Sequence, residues 1–191
     1  MKKRNKWITL LLFCICIASA ALFTGCGGGE PGTPQEIVLD GVPVVLGEST
    51  PGSLGMTVSS SLYDITQLPD RSWTSTLFIQ GYKLISVTLV NNEKTETPVE
   101  DCVIEEMKFI NLDDEENRQH DLVIEGANPL GMTEEELQAA YPELEMDDDE
   151  SYRFHYLRSG KDYSVRFLHI DGVQNEIWAT HSFDKSYEEK K

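Results

Sequence analysis

GMTEEELQAAYPELEMDDDESYRFHYLRSGKDYSVRFLHIDGVQNEIWATH, residues 131–181, decides the fold. It opens on a helix start. The Thr133 hydroxyl can take the Glu136 amide while the Glu136 carboxylate reaches back to the Thr133 amide, a capping box. Glu134, Glu135 and Glu136 also sit at the positive end of the helix dipole. Leu137, Ala140 and Tyr141 then share one face, and Pro142 stops the helix after about two turns. Residues 147–150 read as an acidic loop. Three strands follow, 152–157, 163–170 and 173–181, the last two joined by Asp171-Gly172, a strong two-residue hairpin signal.

Upstream the pattern is also β-like. Structure is expected to begin near Ile37, with a short strand over 42–46, two strands between 77 and 90, and another over 102–112. The turn-rich 47–55, the loop 91–98 and the charged 113–119 separate them. Leu54-Gly55-Met56-Thr57 recurs as Leu130-Gly131-Met132-Thr133, and at the same offset 75–90 falls on 151–166. Residues 58–61 lack a capping box and good helix formers, so the first copy has no convincing helix. These observations predict an α+β fold, antiparallel sheets with short helices packed on one face, in two degenerate related units. The expected divisions are a first β-rich unit over 37–126, an α/β unit over 127–183 and a charged tail over 184–191.

Gly131-Met132-Thr133-Glu134-Glu135-Glu136-Leu137, then Tyr141 and Pro142, then a strand-rich stretch, resembles the core of the SmpA/OmlA lipoprotein family. The pattern is also similar to the repeats of β-lactamase inhibitor proteins. The resemblance covers about 50 residues (131–180) and implies a short helix on one face of an antiparallel sheet whose other face is open. It says little about function, because such units serve as scaffold subunits and as inhibitors.

The N-terminus says where the chain works. Lys2, Lys3, Arg4 and Lys6 precede an apolar run over 7–23, shorter than the ~20 apolar residues of a confident membrane span. It ends in Leu22-Phe23-Thr24-Gly25-Cys26, which resembles the lipobox of bacterial lipoproteins. That resemblance implies a signal peptide over 1–25 and lipid attachment at Cys26, a thioether-linked diacylglycerol. An uncleaved anchor or an ordinary secretory signal are the alternatives. Two acyl chains suffice for stable anchoring. Residues 26–36, with GGGEPGTPQE after the cysteine, read as a flexible tether. Gly27 follows the lipid cysteine rather than the Asp associated with inner-membrane retention, so an outer membrane is favoured in a cell with two membranes.

Composition bounds the chemistry. The formal charge is −17, and loss of the four cations of 1–25 takes it to −21 over the remaining 166 residues. Such a chain repels phosphate backbones, which argues against nucleic acid as a partner. Cys14 and Cys16 leave with the signal, so Cys102 has no disulfide partner and reads as a small buried hydrophobe. His120, His155, His169 and His181 lack metal-ligand spacing, and no metal or cofactor is expected. The acidic runs 113–116 and 147–150 lack an alternating calcium-loop pattern and read as solvated loops. No nucleophile elbow or P-loop is present.

Strand alternation supplies the candidate site. Tyr152, Phe154 and Tyr156 are placed with Val165, Phe167, Ile177 and Ala179 against the helix. The opposite face would carry Arg153, His155, Arg166, Leu168 and Trp178, residue types that include binding hot-spot formers. The alternative is that Trp178 closes the core and the arginines pair with nearby acids. The function expected is non-enzymatic binding of another envelope or extracellular protein by a membrane-anchored lipoprotein, with Trp178 and Leu168 buried and Arg153 and Arg166 pairing carboxylates. A small-solute-binding lipoprotein and an exported cell-wall-acting enzyme are the competing classes.

Overall fold

Alternation of apolar and polar residues builds most of this molecule. The computed structural model describes residues 31–60, 64–82, 84–148 and 152–181. In chain order the strands are β1 (Ile37–Leu39), β2 (Val42–Val44), β3 (Val58–Ser60), β4 (Gln67–Leu68), β5 (Trp73–Ile79) and β6 (Ile85–Val90). Then come β7 (Thr97–Pro98), β8 (Val103–Phe109), β9 (Leu122–Ile124), β10 (Glu145–Asp148), β11 (Tyr152–Ser159), β12 (Tyr163–Ile170) and β13 (Val173–His181). The one α-helix among the described residues, α1 (Glu134–Ala140), lies between β9 and β10, and three short 3-10 turns complete the elements. The fold is therefore β-rich and antiparallel, with fewer helices than expected.

Eight strands form one sheet in the order β10-β11-β12-β13-β8-β6-β5-β3. Its middle is the antiparallel pair β13–β8, which brings Ala179 opposite Met107 and Trp178 opposite Lys108. Outward from that pair the order mirrors itself: hairpins β12–β13 and β11–β12 on one side, β6–β8 and β5–β6 on the other, with β10 and β3 at the edges. Both Leu-Gly-Met-Thr turns carry a left-handed glycine, Gly55 at φ 67° and Gly131 at φ 77°. After the first the chain enters β3, after the second α1. The two expected units thus share one sheet and one core.

Cross-strand neighbours lie on one face of a sheet. One inner row runs Leu77, Val87, Met107, Ala179, Val165, Leu157, and the next runs Ile85, Phe109, Ile177, Phe167, His155. Over these rows lie the three-stranded sheet β2-β1-β9 and α1. Tyr141, just past α1, ties the layers together. Its ring stacks on Phe167 at 5.6 Å and its hydroxyl donates to the Ile124 carbonyl at 3.0 Å.

The turn into α1 is held from the sheet. Gln174 accepts from the Gly131 amide at 2.7 Å and donates to the Pro129 carbonyl at 2.9 Å, while His169 Nε2 lies 3.1 Å from the Met132 carbonyl. Gly131 needs glycine for its positive φ, and a Cβ there would also have to displace the Arg118 guanidinium, 2.7 Å away. The hairpin β12–β13 turns on Asp171 and Gly172, both at positive φ as a two-residue type I′ turn requires.

Two expectations need correction here. Residues 147–148 are not loop: they end β10, an edge strand paired with β11. The tether expected over 26–36 is seated at its C-terminal end. Thr33 N–H donates to Ser159 Oγ at 3.0 Å, the Gln35 amide donates to the Leu157 carbonyl at 3.2 Å, and Gln35 is buried. The signal peptide over 1–25, Cys26 and the charged tail over 184–191 lie outside the described residues.

The capping box at Thr133 forms in both directions, with Glu136 N–H to Thr133 Oγ1 at 3.2 Å and Thr133 N–H to Glu136 Oε2 at 2.9 Å. Thr133→Ala is expected to cost about 1 kcal/mol and to lower Tm by about 2–4 °C, read by thermal unfolding with Thr133→Ser as the retaining control. An unchanged Tm would show that tertiary contacts alone fix α1.

Candidate functional site on the outer sheet face

The outer face begins with one row of side chains crossing all eight strands. It reads Ser59, Phe78, Ser86, Lys108, Trp178, Arg166, Tyr156, Glu145. Trp178 is central and half-buried. Arg166 stacks on its ring at 3.5 Å and the Lys108 ammonium at 4.0 Å, while its indole N–H donates to Glu176 at 2.8 Å. Glu176 also holds Lys108 Nζ at 3.3 Å. Each cation–π contact contributes about 0.5–2 kcal/mol depending on desolvation. Arg166 lies 5.2 Å from the Phe154 ring too, and Arg158 stands over Tyr156 at 4.7 Å. Leu168, opposite Phe154 and Glu176, completes the patch.

Of the expected binding face, Arg166, Leu168 and Trp178 are together and outward. Arg153 and His155 are not. His155 stands opposite Phe167 on the inner face and is 3% exposed, and Arg153 is opposite the buried His169. The phase of β11 is therefore the reverse of that expected, and Tyr152, Phe154 and Tyr156 point outward. The physical reason is a partner on α1: Glu134 accepts from Arg153 at 2.9 Å and lies 3.6 Å from His155 Nε2. Burial works to raise the Glu134 carboxyl, but the Arg153 hydrogen bond and the charges of Arg153, His155 and His169 outweigh it and lower its pKa. The two imidazoles meet edge to face at 5.3 Å, sealing this end of the core.

Elsewhere, Cys102 is buried, its Sγ 3.3 Å from the Pro98 carbonyl; burial, with Asp101 adding, pushes its thiol up to about 11. It stays a thiol at neutral pH and is a poor nucleophile. Asp114 in the run 113–116 caps a 3-10 turn by accepting from the Glu116 amide at 3.0 Å. Among the described residues no group of three or more His, Cys, Asp or Glu could hold a metal ion, and no helix is long and apolar enough to cross a membrane.

Two clefts had no signal in the sequence because each is made by elements distant along the chain. One, of about 600 Å³, follows edge strand β3 between Thr57–Ser60 and Asp64–Thr66, with Gln80, Val99 and Glu100. The other, about 400 Å³, lies between the seated tether at Gln35, the end of α1 and Leu157–Ser159.

His181, on the last residue of β13, contacts the buried Glu105, Nδ1 to Oε2 at 2.5 Å. Glu105 is the extra residue of a β-bulge, since Thr88 pairs with Glu106 and Leu89 with Ile104. The Glu105 hydrogen bond raises the His181 pKa above its ordinary 6.5; burial opposes this and the charges of Glu105, Asp162 and Glu48 assist. A raised folded pKa stabilises fully below the unfolded value and loses that contribution as pH rises through the folded one. The His181 ring is thus expected to titrate above 6.5 by NMR, and His181→Gln to flatten the loss of stability on the alkaline side. Titration at or below 6.5 would contradict the ion pair.

Set beside known proteins, the chain stands on its own geometry: no protein-family model, no curated protein and no solved structure matches it.

Proposed function

We propose that this chain is an extracytoplasmic lipoprotein, held at a membrane through diacylglyceryl-Cys26, that binds another envelope or extracellular protein and performs no catalysis itself. In a cell with two membranes the outer one is its site. The observation that carries the reading is the Trp178 cluster, a large aromatic presented outward and fixed on three sides by Arg166, Lys108 and Glu176. A side chain ordered before binding loses little entropy on binding, and Trp and Arg are the residues that dominate protein interfaces. Leu168 and Phe154 extend the apolar contact. The basic start, apolar run and Cys26 of the N-terminus support the anchor.

The two halves read as degenerate copies of one unit. The repeated Leu-Gly-Met-Thr turn with its left-handed glycine and the mirrored strand order support a duplication in which the first copy exchanged its helix for β3. The kinship with SmpA/OmlA-like units is likewise supported by α1 followed by four antiparallel strands.

A second reading, small-solute binding, is favoured by the cleft at β3. Its walls carry hydroxyls and carboxylates, and Glu100 turns into the fold an Oε2 with no hydrogen-bond partner. An exported enzyme gains nothing from Cys102, whose thiol is protonated and buried.

The test uses the lipidated full-length chain in detergent, its Cys26 adduct verified by mass spectrometry, to capture partners from envelope extract. A Trp178→Ser, Leu168→Ser variant, checked by near-UV circular dichroism, should lose one dominant partner by at least about 30-fold, the ~2 kcal/mol scale of a hot spot. Retention by that variant would discard the face, and absence of any partner would turn the search to the β3 cleft.

A further inference from the structure

Four cations project from strands β8, β11 and β12. Lys108 has Glu176 at 3.3 Å, Arg153 has Glu134 at 2.9 Å and Arg158 has Glu145 at 3.1 Å. Arg166 has none. Among the described residues it makes no ion pair and no hydrogen bond, and its Nε is buried without a partner. In a chain with 33 acids against 16 lysines and arginines, Arg118 also has a buried Nε without a partner, but Arg166 is the one of the two that lies against Trp178 on the outer face.

Among the described residues two ring faces meet it, Trp178 at 3.5 Å and Phe154 at 5.2 Å. Stacking uses the flat of a guanidinium and leaves its N–H edge unspent, because the five donors lie in the plane. A bidentate carboxylate is the ligand that edge fits, and such charge-assisted bonds are roughly twice as strong as neutral ones. The stack also holds the fork in one orientation before a ligand arrives.

Resting on the reading of this face as a protein-binding surface, we propose that Arg166 is the receptor for one Asp or Glu side chain of the partner, carried on an extended segment with apolar neighbours. Leu168, Phe154 and Tyr156 flank Arg166 on the same face and receive those neighbours. The acid is single. Glu176 on the neighbouring β13, and Glu106 and Glu145 two strands away on either side, share the outer face with Arg166, and the chain is strongly negative, so a run of acids would be repelled. Basic residues flanking the acid suit the strongly negative chain. A free small anion is the poorer fit to the two described clefts, neither of which is lined by Arg166.

The probes are the acetylated, amidated pentapeptide Lys-Val-Glu-Val-Lys, its Gln-centred counterpart, and sodium acetate. Each is titrated into the isotope-labelled full chain while the Trp178 indole N–H and Arg166 Nε–H resonances are followed. The Glu peptide should move both signals and bind at least about fivefold more tightly than the Gln peptide, a preference that Arg166→Gln abolishes and Arg166→Lys reduces. Equal affinity for the two peptides, shifts confined to other residues, or no shift overturns the assignment. Acetate binding as tightly as the Glu peptide overturns the protein partner and leaves an anion site. If Trp178→Ser releases the captured envelope protein while Arg166→Gln keeps it, the face binds protein and the carboxylate assignment alone falls. If neither releases it, both fall.

Discussion

The antiparallel pairing of β13 with β8 is the constraint on which the rest depends. Ile177 to Thr180 lie against Phe109 to Glu106, joining two four-stranded halves through residues about 70 apart in the chain. On the inner side the pairing makes continuous apolar rows of Met107 with Ala179 and Phe109 with Ile177. On the outer side it brings Lys108 onto Trp178, which no contact within either half could do. Core and candidate site are two faces of one junction.

The inner rows must be covered, and the cover is small: three short strands and two turns of helix. It suffices because it is pinned by polar contacts as well as by burial. Tyr141 bonds to β9 and stacks on β12, Gln174 and His169 hold the turn before α1, and Glu134 reaches from α1 to Arg153 and His155 on β11. Apart from the exposed Arg153, these are buried or partly buried groups whose loss would leave partners unsatisfied, a larger cost than the bonds themselves contribute. Candidate site and cover therefore occupy opposite sides of the sheet.

Much of this was legible in the residues. The capping box at Thr133, the Asp171-Gly172 hairpin and the alternation of β12 and β13 all depend on local chemistry, and all hold. The phase of β11 was not legible. Tyr152, Phe154 and Tyr156 are more apolar than Arg153 and His155, yet they face outward because arginines stack on Tyr156 and Phe154 and because Glu134 compensates the inward groups. That compensation comes from another element, which alternation cannot place. The same holds for β10, whose acids resemble a loop until β11 pairs with it, and for the seated tether, whose contacts exist only once the end of β11 is formed. The β8–β13 pairing itself has no local signature at all.

Native-state hydrogen exchange on the full chain tests that junction most directly. If β8 and β13 open only together, the amides of Met107, Phe109, Ile177 and Ala179 should share one opening free energy, the highest in the molecule, with the same denaturant dependence. If the β10–β13 amides exchange through an opening that leaves β8, β6 and β5 protected, the halves are separate units. The row from Phe78 through Trp178 to Tyr156 would then not be one surface.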